Sequence, residues 1–296
     1  MLIFVWCLTL ISISNFSNAF DSNQLLRSGF KWVTASRGVA WPEKSDLHVA
    51  RDFHDCRHYN SVVDFPEYYK SNFHAYPSCN VNPVAAAEAK AASEAVFVHH
   101  YRGKSGRDSA HAVRSNFTRR TLDFSKLSEI AELSVVDAGC GVGISTSYLK
   151  SSLPSSFILG LDLSPYYLNE IDDEVESGRT FFMHRNIEAT NILHDSVDIV
   201  SMSYVLHELP LPAVIRCLKE AYRILRPGGT LGVLDMSPEV KASSYFLQKI
   251  FDRTEPYLPD YAKFGDARSE ILALVGFDVE VFDDSVPKTA MFFCRK

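Results

Sequence analysis

The sequence has few cysteines and no pairing pattern among them. Six cysteines are spread along the 296 residues, and none forms a Cys-x-x-Cys pair. Disulfide frameworks and structural zinc sites need paired or closely spaced cysteines, so neither class fits. His54 and His58 flank Asp55 and Cys56, but no second ligand cluster completes a site. We therefore expect no bound metal.

An excess of positive charge is also missing. The chain has 36 acidic and 30 basic residues, a net charge of -6, which argues against nucleic acid as a partner because nucleic-acid binding usually needs a basic surface. One local stretch departs from this balance, with six basic residues against Asp108. We interpret this stretch as a solvated linker or, alternatively, as a contact with an anionic headgroup or membrane surface through Arg102–Arg120. The basic residues are Arg102, Lys104, Arg107, Arg114, Arg119 and Arg120.

Long apolar runs are absent beyond the N-terminus. The apolar residues 1–13 and the small residues around Ala19 are typical of a secretory signal peptide over residues 1–19, although the usual positive charge is missing. An uncleaved anchor is the alternative, but the run is shorter than the ~20 residues that a membrane span needs. The acid-poor segment 21–42 resembles an organelle transit segment. We expect entry into the secretory pathway, ending in the endoplasmic reticulum lumen, outside the cell or in a plastid-like organelle.

Residues 131–296 alternate short β-like runs with helical runs, whereas residues 20–130 are predicted to be a targeting, irregular and partly helical N-terminal cap. In the cap, Asn82 precedes a helix over 85–98, and a short helix is predicted over 125–132. Alternating strands and helices indicate parallel βαβ units. The predicted fold is therefore α/β: a Rossmann-like, doubly wound, mostly parallel seven-stranded sheet with an antiparallel edge strand.

A glycine-rich turn follows the first strand of this domain. Val135-Val-Asp-Ala-Gly-Cys-Gly-Val-Gly143 brings the backbone close to a ligand at the carboxyl end of the strand. A dinucleotide fingerprint is Gly-x-Gly-x-x-Gly, but Ile144 occupies its third glycine position. Asp137 would repel a pyrophosphate and would suit a cation such as the amino group of a methionine moiety. Asp162 ends the next strand, about where an acid accepts the hydroxyls of a ribose.

Five sequence blocks carry a family resemblance. From about residue 133 the chain resembles the class I S-adenosylmethionine-dependent methyltransferases, and among them the small-molecule enzymes of the ubiquinone/menaquinone-biosynthesis type. The resemblance implies methyl transfer with S-adenosyl-L-methionine as cofactor. The blocks are Val135–Gly143, Gly160–Ser164, Asn186–Glu188, Asp198–Glu208 and Leu225–Thr230.

The resemblance also assigns cofactor-binding residues. Gly139, Gly141 and Gly143 would wrap the methionine part beside Asp137, and Asp162 would hold the ribose. Cys140 lies in the same loop and is interpreted as a packing residue. The adenine would meet Leu163, Asn186 and Ile187, and Ser203 would contact the methionine end.

A general base is needed when the acceptor is a poor nucleophile. His207 follows the fourth strand of the domain, and a histidine near its ordinary pKa can take a proton from a hydroxyl or an activated carbon. Glu208 would orient it. The alternative is that both residues only begin the next helix and bond locally.

Aromatic segments on both sides of the cofactor blocks indicate a large apolar acceptor, such as a quinone, an isoprenoid or a lipid. One set is Tyr68, Tyr69, Phe73, His74 and Tyr76, and the other lies in segments 245–251 and 256–261. Two other functions remain open: a non-catalytic S-adenosylmethionine-binding protein and an NAD-dependent oxidoreductase.

Overall fold

The computed structural model describes residues 22–43, 52–70, 76, 80–98, 100–101, 103–127, 132–237, 255–286 and 288–296. The predicted signal peptide over residues 1–19 lies outside these ranges, as do Phe73, His74 and the segment 238–254. Within the described ranges, no helix combines the length and the apolar character needed to cross a bilayer.

A seven-stranded sheet forms the centre of the molecule. Its strands are β1 (Ser134–Ala138), β2 (Phe157–Asp162), β3 (Thr180–His184), β4 (Val197–Ser203), β5 (Leu225–Met236), β6 (Val279–Asp283) and β7 (Thr289–Arg295). Their order is β3-β2-β1-β4-β5-β7-β6. The first five strands are parallel, and β7 pairs antiparallel with both β5 and the edge strand β6. The predicted fold class is confirmed.

Helices cover both faces of this sheet. The described helices are α1 (Ser22–Ala35), α2 (Pro83–Ala95), α3 (Gly106–Ser125), α4 (Ile144–Ser152), α5 (Pro165–Asn169), α6 (Leu211–Ile224), α7 (Leu258–Asp266) and α8 (Arg268–Val275). The start of α2 follows the prediction: the Asn82 side chain accepts hydrogen bonds from the backbone N–H groups of Val84 (2.9 Å) and Ala85 (3.2 Å). Within the described ranges, the short 3₁₀ helices are Phe53–Asp55, Glu67–Lys70 and Leu206–Glu208.

The core has one apolar layer on each face of the sheet. On one face, α6 buries a stripe spaced three and four residues apart, from Ala213 through Cys217 to Ile224, against β4 and β5. On the other face, Leu149 and Leu153 pack against Val135. Each fully buried aliphatic side chain contributes about 1.5–3 kcal/mol relative to an exposed one, so these layers hold the strand ends in fixed positions.

From Gly106 onward the basic stretch is a helix, so its interpretation as a solvated linker is wrong there. Residues Gly106–Ser125 form α3 because Ala110, Val113 and Phe117 recur at helical spacing and are buried. The helix ends at Lys126, which takes a left-handed conformation (φ 57°). A separate helix beginning at residue 125 is therefore wrong as well, although residues 128–131 lie outside the described ranges.

Carboxylates already neutralise much of the charge on α3. Arg107 pairs with Glu94 (2.9 Å) and Arg119 with Asp123 (2.7 Å). Arg120 pairs with Asp283, and Arg114 is buried. Contact between Arg102–Arg120 and an anionic surface stays a prediction.

The described residues within 52–98 lie across the carboxyl ends of β2 and β3 and reach the turn after β4. The backbone N–H of Asn60 donates to Nδ1 of His184 at the end of β3 (3.1 Å). The Ser164 hydroxyl, just beyond β2, donates to the backbone carbonyl of Asn80 (2.5 Å). This cap encloses the edge of the sheet where α/β proteins bind ligands.

Gly160 offers a test of the packing on which this edge depends. A Cβ atom there would lie 2.4 Å from Cδ1 of Phe182 and 3.0 Å from Sγ of Cys140. Because Phe182 is buried, Gly160→Ala is expected to lower the free energy of unfolding by about 1–3 kcal/mol, measured by urea titration. Adding Phe182→Leu should recover part of the loss, with Phe182→Leu alone as the reference. Unchanged stability of Gly160→Ala would contradict this packing.

Candidate functional site

The turn after β1 brings three glycines into the left-handed region of backbone space. Gly139, Gly141 and Gly143 have φ angles of 77°, 55° and 79°, which cost little for glycine and are unfavourable for other residues. At Gly139 a Cβ atom would also lie 2.4 Å from Cγ2 of Val205. The turn therefore needs glycine at these positions, and it leads directly into α4.

Asp162 joins this turn to the end of β2. Its Oδ2 accepts the backbone N–H of Gly141 (2.8 Å), and its Oδ1 accepts the backbone N–H of Ser164 (2.8 Å). Burial raises the pKa of Asp162 to about 6, while these two hydrogen bonds oppose the rise. Each oxygen keeps a further lone pair for a hydroxyl donor. The residue that caps α5 is Ser164.

Asp137 is fully buried at the end of β1 and has one oxygen without a partner. Its Oδ2 accepts the hydroxyls of Ser145 (2.7 Å) and Thr146 (2.6 Å). Its Oδ1 has no hydrogen-bond partner. Burial raises the pKa of this carboxyl, and the two hydroxyls oppose the rise. A buried unpaired carboxylate oxygen is costly, and a cationic donor would satisfy it.

Arg114 is a functional candidate that sequence reasoning missed. It projects from α3, and its terminal nitrogens donate to the hydroxyls of Ser203 (3.0 Å) and Ser93 (3.0 Å). Its Nε has no partner, and neither has the hydroxyl of Ser201, which is paired in register with Asp137. Arg114, Ser201 and Ser203 line one small cavity with Ser145. Asp137, which could bind a cation, and Arg114, which could bind an anion, therefore lie near each other beside the glycine turn.

The predicted adenine-binding residues lie beyond β2 and β3. Leu163 is buried, and its carbonyl is 3.0 Å from Nε2 of His184. Asn186 folds its side chain back to accept the backbone N–H of Glu188 (2.9 Å), and Ile187 packs on the main core. The structure thus brings this set to the edge that holds Asp162.

Cys140 packs inside a small apolar cluster with Leu168, Ile171 and Phe182. Burial raises the pKa of its thiol well above the ordinary value. A thiolate is the nucleophilic form of cysteine, so this thiol is unreactive.

His207 lies in the 3₁₀ turn after β4 and is held by a buried carboxylate. Its Nδ1 is 2.6 Å from Oδ1 of Asp235 at the end of β5. Oδ2 of Asp235 also accepts the backbone N–H of Leu206 (2.9 Å). The rings of Tyr204 and Tyr261 meet the imidazole edge to face, with centroids 6.4 and 6.3 Å away.

The assumption that His207 has an ordinary pKa is wrong. Burial by itself lowers the pKa of this imidazole, but Asp235, and at longer range Glu208 and Glu255, raise it to about 9. Because strands β4 and β5 are neighbours, their ends place the acid against the histidine. His207 is therefore mostly an imidazolium at neutral pH.

The prediction that Glu208 orients His207 stays a prediction. Nδ1 of the imidazole pairs with Asp235, and Oε2 of Glu208 accepts a hydrogen bond from Nδ2 of Asn80 (2.7 Å). Consecutive residues in a 3₁₀ turn point in different directions. Glu208 therefore faces the cap.

Tyrosines from both predicted aromatic segments meet near this edge. Tyr68 of the cap and Tyr257, just before α7, have ring centroids 6.1 Å apart, and the Tyr257 hydroxyl donates to the Tyr68 carbonyl (3.0 Å). The Tyr68 hydroxyl donates to Glu188. Tyr261 follows one turn into α7 and packs on His207.

Comparison with known proteins gives the family of this domain. Residues 135–229 match a family model described as a methyltransferase domain. Demethylmenaquinone methyltransferase of Lactococcus lactis subsp. lactis (strain IL1403) is 28% identical over 145 residues, covering 47% of this chain and 56% of the relative. Malonyl-[acyl-carrier protein] O-methyltransferase of Dechloromonas aromatica (strain RCB) is 28% identical over 131 residues, covering 44% and 46%. The chain thus spans about half the length of these relatives.

Among solved structures, the CurJ carbon methyltransferase has a TM-score of 0.55 and 14% identity, covering 72% of this chain and 61% of that one. At this identity the likeness concerns the fold alone. The matched model and these relatives support a class I S-adenosylmethionine-dependent methyltransferase domain over residues 135–229. The family predicted from the sequence is confirmed, whereas the roles of individual site residues stay predictions.

The charge of His207 gives a test of the site's electrostatics. Asp235→Asn is expected to lower the pKa of His207 well below its value of about 9, because burial is then opposed only by the more distant Glu208 and Glu255. Nuclear magnetic resonance titration of the imidazole Cε1–Hε1 group measures this shift. Glu208→Gln is the matched control and should lower the pKa less.

A pKa of His207 at or below 6.5 in the wild-type protein would contradict this account.

The direction of the pKa shift of His207 also determines how the stability of the fold depends on pH. Because the pKa of His207 is raised on folding, its contribution to stability is complete below pH 6.5 and is lost as the pH rises towards 9.

Proposed function

We propose that this protein transfers a methyl group from S-adenosylmethionine to a small apolar acceptor by in-line displacement. The observation that carries the proposal is the set of three buried polar atoms without partners at the ends of β1 and β4 and on α3. They are Oδ1 of Asp137, Oγ of Ser201 and Nε of Arg114. A zwitterionic amino-acid group supplies both the donor and the acceptor that such a set needs.

The cofactor fits the residues that surround this set. Asp137 would accept the ammonium of the methionine moiety, and Arg114, with Ser203, would hold its carboxylate. Asp162 would accept the ribose hydroxyls on the lone pairs that the backbone leaves open. Leu163 and Ile187 offer apolar surface for the adenine. The glycine turn lets the backbone approach the methionine chain.

When bound, S-adenosylmethionine supplies the electrophilic methyl group. The protein then has three tasks: it orients the acceptor, excludes water and manages one proton. His207 is suited to the last task because Asp235 contacts Nδ1, fixes the orientation of the ring and stabilises its protonated form. Asp235 acts through His207 and is a positioning residue.

The raised pKa of His207 sets the direction of the pH dependence. In the resting pair, His207 is an imidazolium and the acceptor is a hydroxyl. The pair becomes reactive when it loses one proton, either from the imidazolium or from the hydroxyl. Turnover should therefore rise as the pH approaches 9.

An apolar acceptor is supported by the aromatic side chains at this edge. Tyr204 and Tyr261 flank His207, and Tyr68 and Tyr257 meet between the cap and α7. The similarity to a demethylmenaquinone methyltransferase, across about half of that protein, points the same way. A quinol combines an apolar ring with a hydroxyl and an activated carbon, and we take it as the first acceptor class to test.

The zwitterion site is tested by a pair of ligands that differ only in the amino-acid end. Arg114→Met is expected to weaken binding of S-adenosylhomocysteine at least tenfold, because it removes the partner of the carboxylate. Binding of 5′-methylthioadenosine, which lacks that end, should change less than threefold. Calorimetry gives both dissociation constants. Equal losses for the two ligands would show a general disturbance of the site instead.

Methyl transfer itself is tested with labelled S-adenosylmethionine and short-chain demethylmenaquinol. We expect label in the extracted quinone, with a rate that increases from pH 7 to about 9. His207→Ala should lower turnover at least tenfold and leave the affinity for S-adenosylhomocysteine within twofold, because the imidazole acts on the acceptor.

Two outcomes would count against parts of this proposal. Full turnover by His207→Ala removes the histidine from the mechanism. Cofactor binding without transfer to any quinol, isoprenoid or lipid fraction favours a non-catalytic binding protein over an enzyme.

A further inference from the structure

Asn80 lies between the two functional ends of the site and uses three polar groups to hold them. This residue of the cap is 7% exposed. Its backbone carbonyl accepts the Ser164 hydroxyl (2.5 Å), and its Oδ1 accepts the Tyr167 hydroxyl (3.0 Å). Its Nδ2 donates to Oε2 of Glu208 (2.7 Å). A single cap residue thus contacts the loop after β2 and the turn after β4.

The contacts form a continuous chain from the glycine turn to the histidine turn. The N–H of Gly141 donates to Asp162, and Asp162 also accepts the N–H of Ser164. Ser164 donates to Asn80, and Asn80 donates to Glu208. Glu208 is the last residue of the 3₁₀ helix that contains His207. Buried hydrogen-bond chains of this kind fix the relative position of the elements that they join.

Charge gives Asn80 a second effect. Glu208 lies close enough to Asp162 to raise the pKa of that carboxyl. Two carboxylates at one edge repel each other, and an amide donor on one of them lessens its charge density.

We propose that Asn80 is a positioning residue that fixes Glu208, and with it the His207 turn, against the ribose-binding end of β2. The inference rests on the proposed function, since it concerns how the acceptor side is aligned with the cofactor. It assigns Glu208 a structural part: the carboxylate anchors the turn, while His207 handles the proton. Cofactor binding at Asp162 then changes the pKa of His207 through the contacts of Ser164 and Asn80.

The test exchanges donor and acceptor between the two partners. Asn80→Asp keeps the acceptor for Tyr167 and removes the donor to Glu208, whereas Asn80→Ala removes both. Combining Asn80→Asp with Glu208→Gln restores a donor–acceptor pair with the roles reversed. Glu208→Gln alone keeps an acceptor for the Asn80 amide and is the reference for the double variant. Circular dichroism and thermal melting establish that each variant is folded.

Three readouts separate positioning from general damage. Calorimetry measures S-adenosylhomocysteine affinity, nuclear magnetic resonance measures the change in the His207 pKa on adding S-adenosylhomocysteine, and the quinol assay gives kcat and KM. Asn80→Asp should lower kcat at least tenfold, keep the affinity for S-adenosylhomocysteine within threefold, and reduce the ligand-induced change in the His207 pKa by half or more. The double variant should regain at least half of both effects.

The outcomes distinguish the two levels of the proposal. Wild-type protein that fails to bind S-adenosylhomocysteine overturns the proposed function. Binding with no effect of Asn80→Asp on His207, or a double variant no better than Asn80→Asp, overturns only the positioning role. If the quinol is not methylated, the His207 measurement alone decides.

Discussion

The carboxylate of Asp162 is the constraint on which the site depends. It ties the glycine turn to the end of β2 through Gly141 and holds the following loop through Ser164. This has a cost, because burial raises its pKa to about 6, above its ordinary value of 3.8. The folded protein therefore gives up stability as the pH rises through this interval and the buried group ionises. Hydroxyl donors from a ribose would stabilise the buried carboxylate. Part of the cofactor's binding energy would therefore come from offsetting the desolvation of Asp162.

The parts of this arrangement that are local in sequence were predictable from sequence. The glycine turn and the acid that ends β2 lie in short strand-to-loop patterns, and the seven strands follow from their apolar runs. Helix α5 ends at Asn169, and Ile171 just beyond it packs with Cys140 and Phe182.

The parts that depend on distant neighbours were missed. Arg114 lies in the basic stretch, which was interpreted from its charge alone. The spacing of Ala110, Val113 and Phe117 already indicated a helix with a buried face. Asp235 is distant from His207 in sequence and meets it only because β4 and β5 are adjacent. Comparing the residues at the ends of neighbouring parallel strands would have found this pair. Asn80 has no sequence signal, because its importance comes from which loops the cap covers.

The residues around the site lie partly inside and partly outside the matched family domain. The matched family domain ends at residue 229 and begins at residue 135. It contains the glycine turn, Asp162 and His207, to which we assign cofactor binding and proton transfer. Asp235, Tyr261 and Asn80 lie outside it, and they charge the imidazole, pack on it and anchor its turn. Most of the proposed cofactor residues thus lie within the matched domain, whereas several side chains around His207 and its turn lie outside it. Under the proposed function, acceptor choice is to be sought in the cap and in the region around α7, because side chains from both regions contact this turn.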